Sequence, residues 1–241
     1  LRHGQPFGAE DLGFYDRSKY IGSMGPIGFS DFFLRAMYPI QAQLQDDSSK
    51  LSKSYMNSFE LICLIIVPVS MFMSVFSYEL LGVLYGDQWV DAKAITSILS
   101  IGFMFYPLHA LNVNMLKVRA IGDVLLKSEI LKKVISLCVL FWLIRYNILV
   151  VVIGWTVCAI MDFIISEYFY CKSYHATAKQ SVYILIKIAL LSATILLCIK
   201  GILGIFSANL YVTLVCAGVL YCGIYLMLLG KKIKRVISEL E

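Results

Sequence analysis

Seven long apolar stretches divide the chain, and polar turns separate them. They run from about Asp11 to Gln43, Ser54 to Ser77, Ala92 to Leu116, Leu126 to Ile144, Ile148 to Tyr170, Val182 to Ile202 and Leu210 to Leu229. The apolar residues are continuous rather than alternating, which predicts helices and excludes the strands of a transmembrane barrel. About 20 mostly apolar residues suffice for one bilayer crossing. Backbone groups in lipid must pair within their own segment, so these stretches predict an all-α integral membrane protein of seven helices. Pro68 and Pro107 fall inside the second and third stretches and predict bends there.

Composition agrees with this pattern. Hydrophobic residues make up 59% of the 241 positions and charged residues 15%, against about 25% charged in an average soluble domain. The net charge of +5 does not mark a nucleic-acid-reading face, because the basic residues lie between apolar stretches and at the C-terminus. Lys50, Lys53, Lys117, Arg119, Lys127, Lys132, Lys133, Lys172 and Lys179 fall in or beside the first, third and fifth connections, and Lys231, Lys232, Lys234 and Arg235 in the tail. The alternate connections hold only Lys93, Arg145 and Lys200. The positive-inside rule therefore places the C-terminus, with its basic tail over residues 231–241, in the cytoplasm. Seven crossings then leave the N-terminus outside. Residue 1 is Leu, and residues 1–10 hold no signal peptide. The expectation is that at least one further membrane helix precedes Leu1 in the intact protein.

Candidate chemistry concentrates in the first stretch. Arg17 and Arg35 are eighteen positions apart, a whole number of helical turns at 3.6 residues per turn. Met24, Gly28 and Asp31 fall near the same face, and Asp31 and Arg35 stand at i,i+4 spacing. A charge at the bilayer centre costs about 2.5–3.5 kcal/mol on insertion scales, so such a stripe is expected to line a water-filled cavity. Arg17, Lys19, Asp31 and Arg35 are the candidate binding residues. Asp162 and Glu167 stand in the fifth stretch; Asp162 is the deeper and the candidate for ion coupling, whereas Glu167 reads as interfacial, like Glu60. Asn112 and Asn114 read as bonds between neighbouring helices, His109 as a packed core residue, and Trp89, Trp142 and Trp155 as anchors or packing. The seven cysteines include no Cys-x-x-Cys and read as small apolar residues. Neither a metal set nor a Walker motif is present, so no cofactor is expected. The short connections gather no catalytic group, and an enzyme is disfavoured.

The segments FGAEDLGFYDRSKY, RAMYPIQAQLQDD, SYMNSFELICLIIVPVSMF and ELLGVLYGDQWVDA, between Phe7 and Ala92, resemble the polysaccharide exporters of the multidrug/oligosaccharidyl-lipid/polysaccharide flippase superfamily, and within it the lipopolysaccharide and O-antigen branch. The residues that carry the likeness are Leu12-Gly13-Phe14-Tyr15, Arg35 with Pro39, Asp46-Asp47, Pro68 and Gly86-Asp87-Gln88-Trp89. The Ser usual after the Pro is replaced by Gln41 or Gln43. The resemblance implies a fold of two six-helix lobes around a central cavity. The present chain would be most of the C-terminal lobe plus two extra helices, with the N-terminal lobe missing from it. It implies translocation of an undecaprenyl-pyrophosphate-linked oligosaccharide across the bacterial inner membrane by alternating access. Arg17, Lys19 and Arg35 would grip phosphate and Asp31 would tune that grip. Two other readings follow from the same observations: a multidrug or cation antiporter of the superfamily, with Asp162 central, or an inactive truncated remnant.

Overall fold

A computed structural model describes residues 8–205 and 209–239. Among these residues there is no strand. In chain order the helices are α1 (Ala9–Gln43), α2 (Ser48–Val75), α3 (Ser77–Tyr85), α4 (Lys93–Phe103), α5 (Tyr106–Val118), α6 (Gly122–Leu143), α7 (Ile148–Tyr174), α8 (Lys179–Ile205) and α9 (Leu210–Ser238). A 3-10 segment, Asp87–Ala92, joins α3 to α4. All seven predicted stretches form helices. Among the described residues five spans are long and apolar enough to cross a membrane: α2, the run Asp87–Val118, α7, α8 and α9. The other two, α1 and α6, are 35 and 22 residues long but less apolar: Gly, Ser and Pro dilute α1, and charges dilute α6. Lys127, Glu129, Lys132 and Lys133 crowd the first half of α6.

Helix α2 is the hub, packing on α1, α4, α5, α8 and α9. It starts at Ser48, six residues before the apolar stretch begins, because Asp47 caps it: the carboxylate accepts from the backbone N–H of Ser49 and of Lys50, each at 3.1 Å. The Lys50 amide above all, with the Lys50 ammonium and the Ser49 amide, holds the Asp47 carboxyl below its ordinary range. Tyr55, Phe59, Ile62 and Leu64 of α2 are fully buried in the main core.

Two local choices shape the rest. Helices α1 and α4 meet through small residues: Thr96 Oγ1 donates to Ser18 Oγ at 2.8 Å, and a Cβ added to Gly22 would stand 3.2 Å from the Ser100 backbone nitrogen. This close approach fixes which face of α1 turns outward. The bend predicted at Pro107 is a break. Helix α4 ends at Phe103 and α5 starts at Tyr106, with Pro107 in its first turn, where a missing N–H is tolerated. Pro26, Pro39 and Pro68 lie inside unbroken helices.

The C-terminal basic segment continues α9 and folds back on α2. Lys232 pairs with Glu60, Glu239 with Lys53 at 3.7 Å, and the Tyr225 hydroxyl donates to the Leu64 carbonyl at 2.8 Å. Glu60 is thus a half-buried partner of α9. Residues 240 and 241 of the predicted tail lie outside the described residues.

Candidate functional site

The outward face of α1 is the one that carries the stripe. Arg17, Met24, Gly28, Asp31 and Arg35 are all exposed, and a Cβ built on Gly28 meets nothing within 4 Å. Met24 and Phe32 are 66% and 76% exposed, so apolar and charged side chains share this uncovered surface.

The lower half of the stripe forms one wall of a groove of about 600 Å³ between α1 and α5. Asp31, Arg35 and Tyr38 project from α1, three and four residues apart and hence on one side of it. Tyr106, His109 and Lys117 face them from α5. Asn114 closes the floor, where its amide donates to Gln41 Oε1 at 3.4 Å; Gln41 in turn donates to Ser58 Oγ at 3.3 Å. Asp31 and Arg35 form no ion pair, despite their spacing. Among the described residues no carboxylate lies within 4.0 Å of Arg35 or Lys117. Two unpaired cations therefore face one open space. Lys117 was legible in the sequence only as a connection charge; its place in the lining of this groove comes from the packing of α5 on α1.

Arg17 and Lys19 sit elsewhere. At a rise of about 1.5 Å per residue, Arg17 is ~27 Å along α1 from Arg35. Its guanidinium lies 5.5 Å from the Tyr85 ring centroid and 5.9 Å from that of Trp89, an aromatic seat for a cation. Gly86 makes this seat: its φ of +89° turns the chain so that the Trp89 ring packs edge-on to Phe14 at 5.7 Å. Lys19 rests over the Tyr15 ring at 5.9 Å.

Asp162 lines a second cavity of about 380 Å³ bounded by α4, α5, α6 and α7, with Lys133, Ser136 and Cys158. Tyr106 and His109 line both cavities, so the two adjoin across α5. His109 is only partly buried, and its Nδ1 lies 3.5 Å from the Lys132 ammonium, which is buried and paired to Glu129 at 2.5 Å. It is a cavity residue rather than the packed core residue that its apolar setting predicts.

Glu167 is a correction to the sequence reading. It is buried rather than interfacial, 4% exposed, among α2, α5 and α7. The Tyr55 hydroxyl lies 2.8 Å from Asn112 Oδ1 and 2.9 Å from Glu167 Oε2. Asn112 Nδ2 donates to Glu167 Oε2 at 2.9 Å and to Ser166 Oγ at 3.3 Å. Asn112 and Asn114 both bond neighbouring helices, as expected. Among the described residues no group of His, Cys, Asp or Glu is placed to hold a metal.

Fold and site together define an all-α protein of membrane-spanning helices with an open cationic groove and a sealed polar cluster. Comparison with known proteins narrows the class. Residues 4–94, which include all of α1, α2 and α3 and the first residues of α4, match the family described as Polysaccharide biosynthesis protein. Over that span the match bears out the resemblance to polysaccharide exporters read from the sequence. No curated protein and no solved structure matches the chain.

Proposed function

We propose that this chain is part of a flippase that moves a lipid-linked oligosaccharide, carried on undecaprenyl pyrophosphate, from the cytoplasmic to the outer leaflet of the bacterial inner membrane. It serves lipopolysaccharide, O-antigen or exopolysaccharide assembly, and its C-terminus is cytoplasmic. No covalent bond changes. The barrier is the passage of a pyrophosphate and of sugar hydroxyls through hydrocarbon. A pair of unpaired cations lowers that barrier by replacing water around the phosphates.

The observation that carries the reading is the groove lined by both Arg35 and Lys117, with no carboxylate in ion-pair range of either among the described residues. Arg35 supplies the planar fork that grips phosphate oxygens in pairs, and Lys117 a mobile point charge. Asp31, one turn before Arg35, competes with the phosphate for that fork and so favours release. The uncovered face of α1 is where a second lobe closes the cavity, and alternating access is the rocking of the two lobes about it. Asp162, half-buried in the adjoining cavity with no ion-pair partner among the described residues, favours a second reading, an ion-coupled antiporter of the same superfamily.

The test uses the intact protein with Arg35→Ala and Lys117→Ala combined. Each charge-assisted hydrogen bond is worth about 1.5–3 kcal/mol, so losing two slows export about a hundredfold or more. Export of the linked sugar is followed in cells with membrane insertion checked in parallel. Undiminished export by an inserted double variant rejects the groove as the phosphate site. Export that fails in Asp162→Asn but survives the double variant favours the antiporter reading.

A further inference from the structure

The second cavity adjoins the groove, and its lining is of a different kind. Its volume of about 380 Å³ is at the small end of the roughly 300–1,000 Å³ usual for small-molecule sites. Asp162 from α7 supplies an acceptor, with no Lys, Arg or His within 4.0 Å of it among the described residues. Lys133 and Ser136 from α6 supply donors, and no carboxylate among the described residues lies within 4.0 Å of the Lys133 ammonium. The neighbouring Lys132 is already engaged with Glu129 and with His109 Nδ1. Aromatic rings complete the lining. Trp155 is braced against the Phe103 ring, with centroids 4.6 Å apart, and a Cβ on Gly102 would stand 2.7 Å from it. Tyr106 and His109 line both spaces. This mixture selects a ligand class. A metal ion asks for acceptors alone, and a bare phosphate for donors alone. A hydroxyl both donates and accepts. A carboxylate and an ammonium lining one small space therefore suit a polyhydroxyl ring, and aromatic faces suit its C–H side.

We propose that this cavity is a binding site for a neutral sugar ring, the one joined directly to the phosphate that the groove holds; the inference rests on the flippase reading above. The layout of α1 and α5 supports it. Gln41 and Asn114 meet at 3.4 Å. Arg35 stands six residues before Gln41, and His109 five before Asn114, ~9 and ~7.5 Å back along two helices that line the same groove. Arg35 and His109 are therefore at similar heights, and His109 borders both spaces. A phosphate at Arg35 lies at the height where the two spaces adjoin, and a sugar attached to it through one oxygen falls on the other side of His109. There Asp162 accepts from the ring hydroxyls and Lys133 donates to them, while Trp155 and Tyr106 flank the apolar side of the ring and exclude water. Asp162 needs no ion to complete it, and no covalent bond changes at the site.

Saturation-transfer NMR on the intact protein in lipid nanodiscs tests this. The probes are methyl phosphate and the 1-phosphates of glucose, galactose and N-acetylglucosamine. In the wild type at least one sugar phosphate binds about tenfold tighter than methyl phosphate, the effect of one charge-assisted hydrogen bond, and its ring protons receive saturation. Asp162→Asn keeps the shape but exchanges part of the acceptor for a donor. Ser136→Phe fills the cavity from α6. Each removes most of the sugar phosphate's advantage, so the assignment stands on the Asn variant even if the Phe variant inserts poorly. Arg35→Ala combined with Lys117→Ala weakens both kinds of probe together. If methyl phosphate binds and no sugar phosphate binds tighter, the sugar site is overturned while the phosphate groove stands. An advantage that survives both cavity variants overturns it too. If the wild type binds neither kind of probe, the flippase reading fails and this proposal fails with it.

Discussion

Replacing Asn112 by Leu probes the buried junction with the fewest side effects. Leu has a similar volume and keeps the helix, but it removes three contacts at once: those to Tyr55 at 2.8 Å, Glu167 at 2.9 Å and Ser166 at 3.3 Å. Two magnitudes compete. In a water-soluble core, each polar group left unsatisfied costs about 1–3 kcal/mol, and stranding Tyr55 and Glu167 would cost ~2–6 kcal/mol. Between membrane helices the measured average is about 0.6 kcal/mol per hydrogen bond and ~1.7 at most, because the separated helices also find partners. Three contacts on that scale give about 2 kcal/mol. The membrane figure applies, since Asn112 and Glu167 lie within membrane-spanning segments, and Tyr55 keeps its direct contact with Glu167. The expected loss is thus ~2 kcal/mol, or a roughly thirtyfold smaller folding constant. Equilibrium unfolding in mixed micelles reads it. The double variant with Tyr55→Phe should cost less than the sum of the two single changes, because both act on the same cluster. If Asn112→Leu matches or exceeds wild-type stability, the cluster does not hold α2, α5 and α7 together.

Two further outcomes are expected from packing and charge. Gly22→Leu destabilises by about 1–3 kcal/mol, because a Cβ there already meets the Ser100 backbone at 3.2 Å and the Phe103 ring at 3.3 Å; a lowered thermal midpoint checks it, and an unchanged one means α1 and α4 are not held at this distance. Lys232→Ala costs under about 1 kcal/mol, and the loss shrinks as salt rises, because the side chain that pairs with Glu60 is 40% exposed; a salt-independent loss of several kcal/mol would contradict a partly solvated pair.

The apolar stretches made the helices legible because a bilayer-length run of hydrophobic residues has few other uses. Their subdivision was less legible. Helix α3 follows α2 at Phe76, where neither Pro nor Gly marks a break, and its Leu-Leu-Gly-Val-Leu run extends the preceding apolar pattern. Asp31 and Arg35 were readable as neighbours from helical spacing alone. Lys117 was not placed in the same groove, since its position depends on the α4–α5 break and on the Ser18–Gly22 seam that turns α1. The reading of Glu167 failed for a related reason. Counting residues from the end of a helix gives depth but not which neighbours close over a side chain, and Tyr55, which closes over Glu167, lies among polar residues at the start of α2.

Helix α5 links the two polar sites. Its Tyr106, His109 and Lys117 turn toward the open groove, while Asn112 turns into the sealed cluster and Leu108, Leu111 and Met115 fill the core beside it. Helix α5 is a thirteen-residue piece, set off from α4 by the turn at Met104 and Phe105, so its two faces are coupled through one short rigid element. Any displacement of α5 that widens the groove at Lys117 therefore acts on the 2.8 Å contact between Asn112 and Tyr55. The buried cluster is the more restrictive of the two, since it closes three contacts of 2.8–2.9 Å, whereas the groove floor closes one, from Asn114 to Gln41 at 3.4 Å. The seat of α5 beside α1 is accordingly held chiefly from the buried side of the helix.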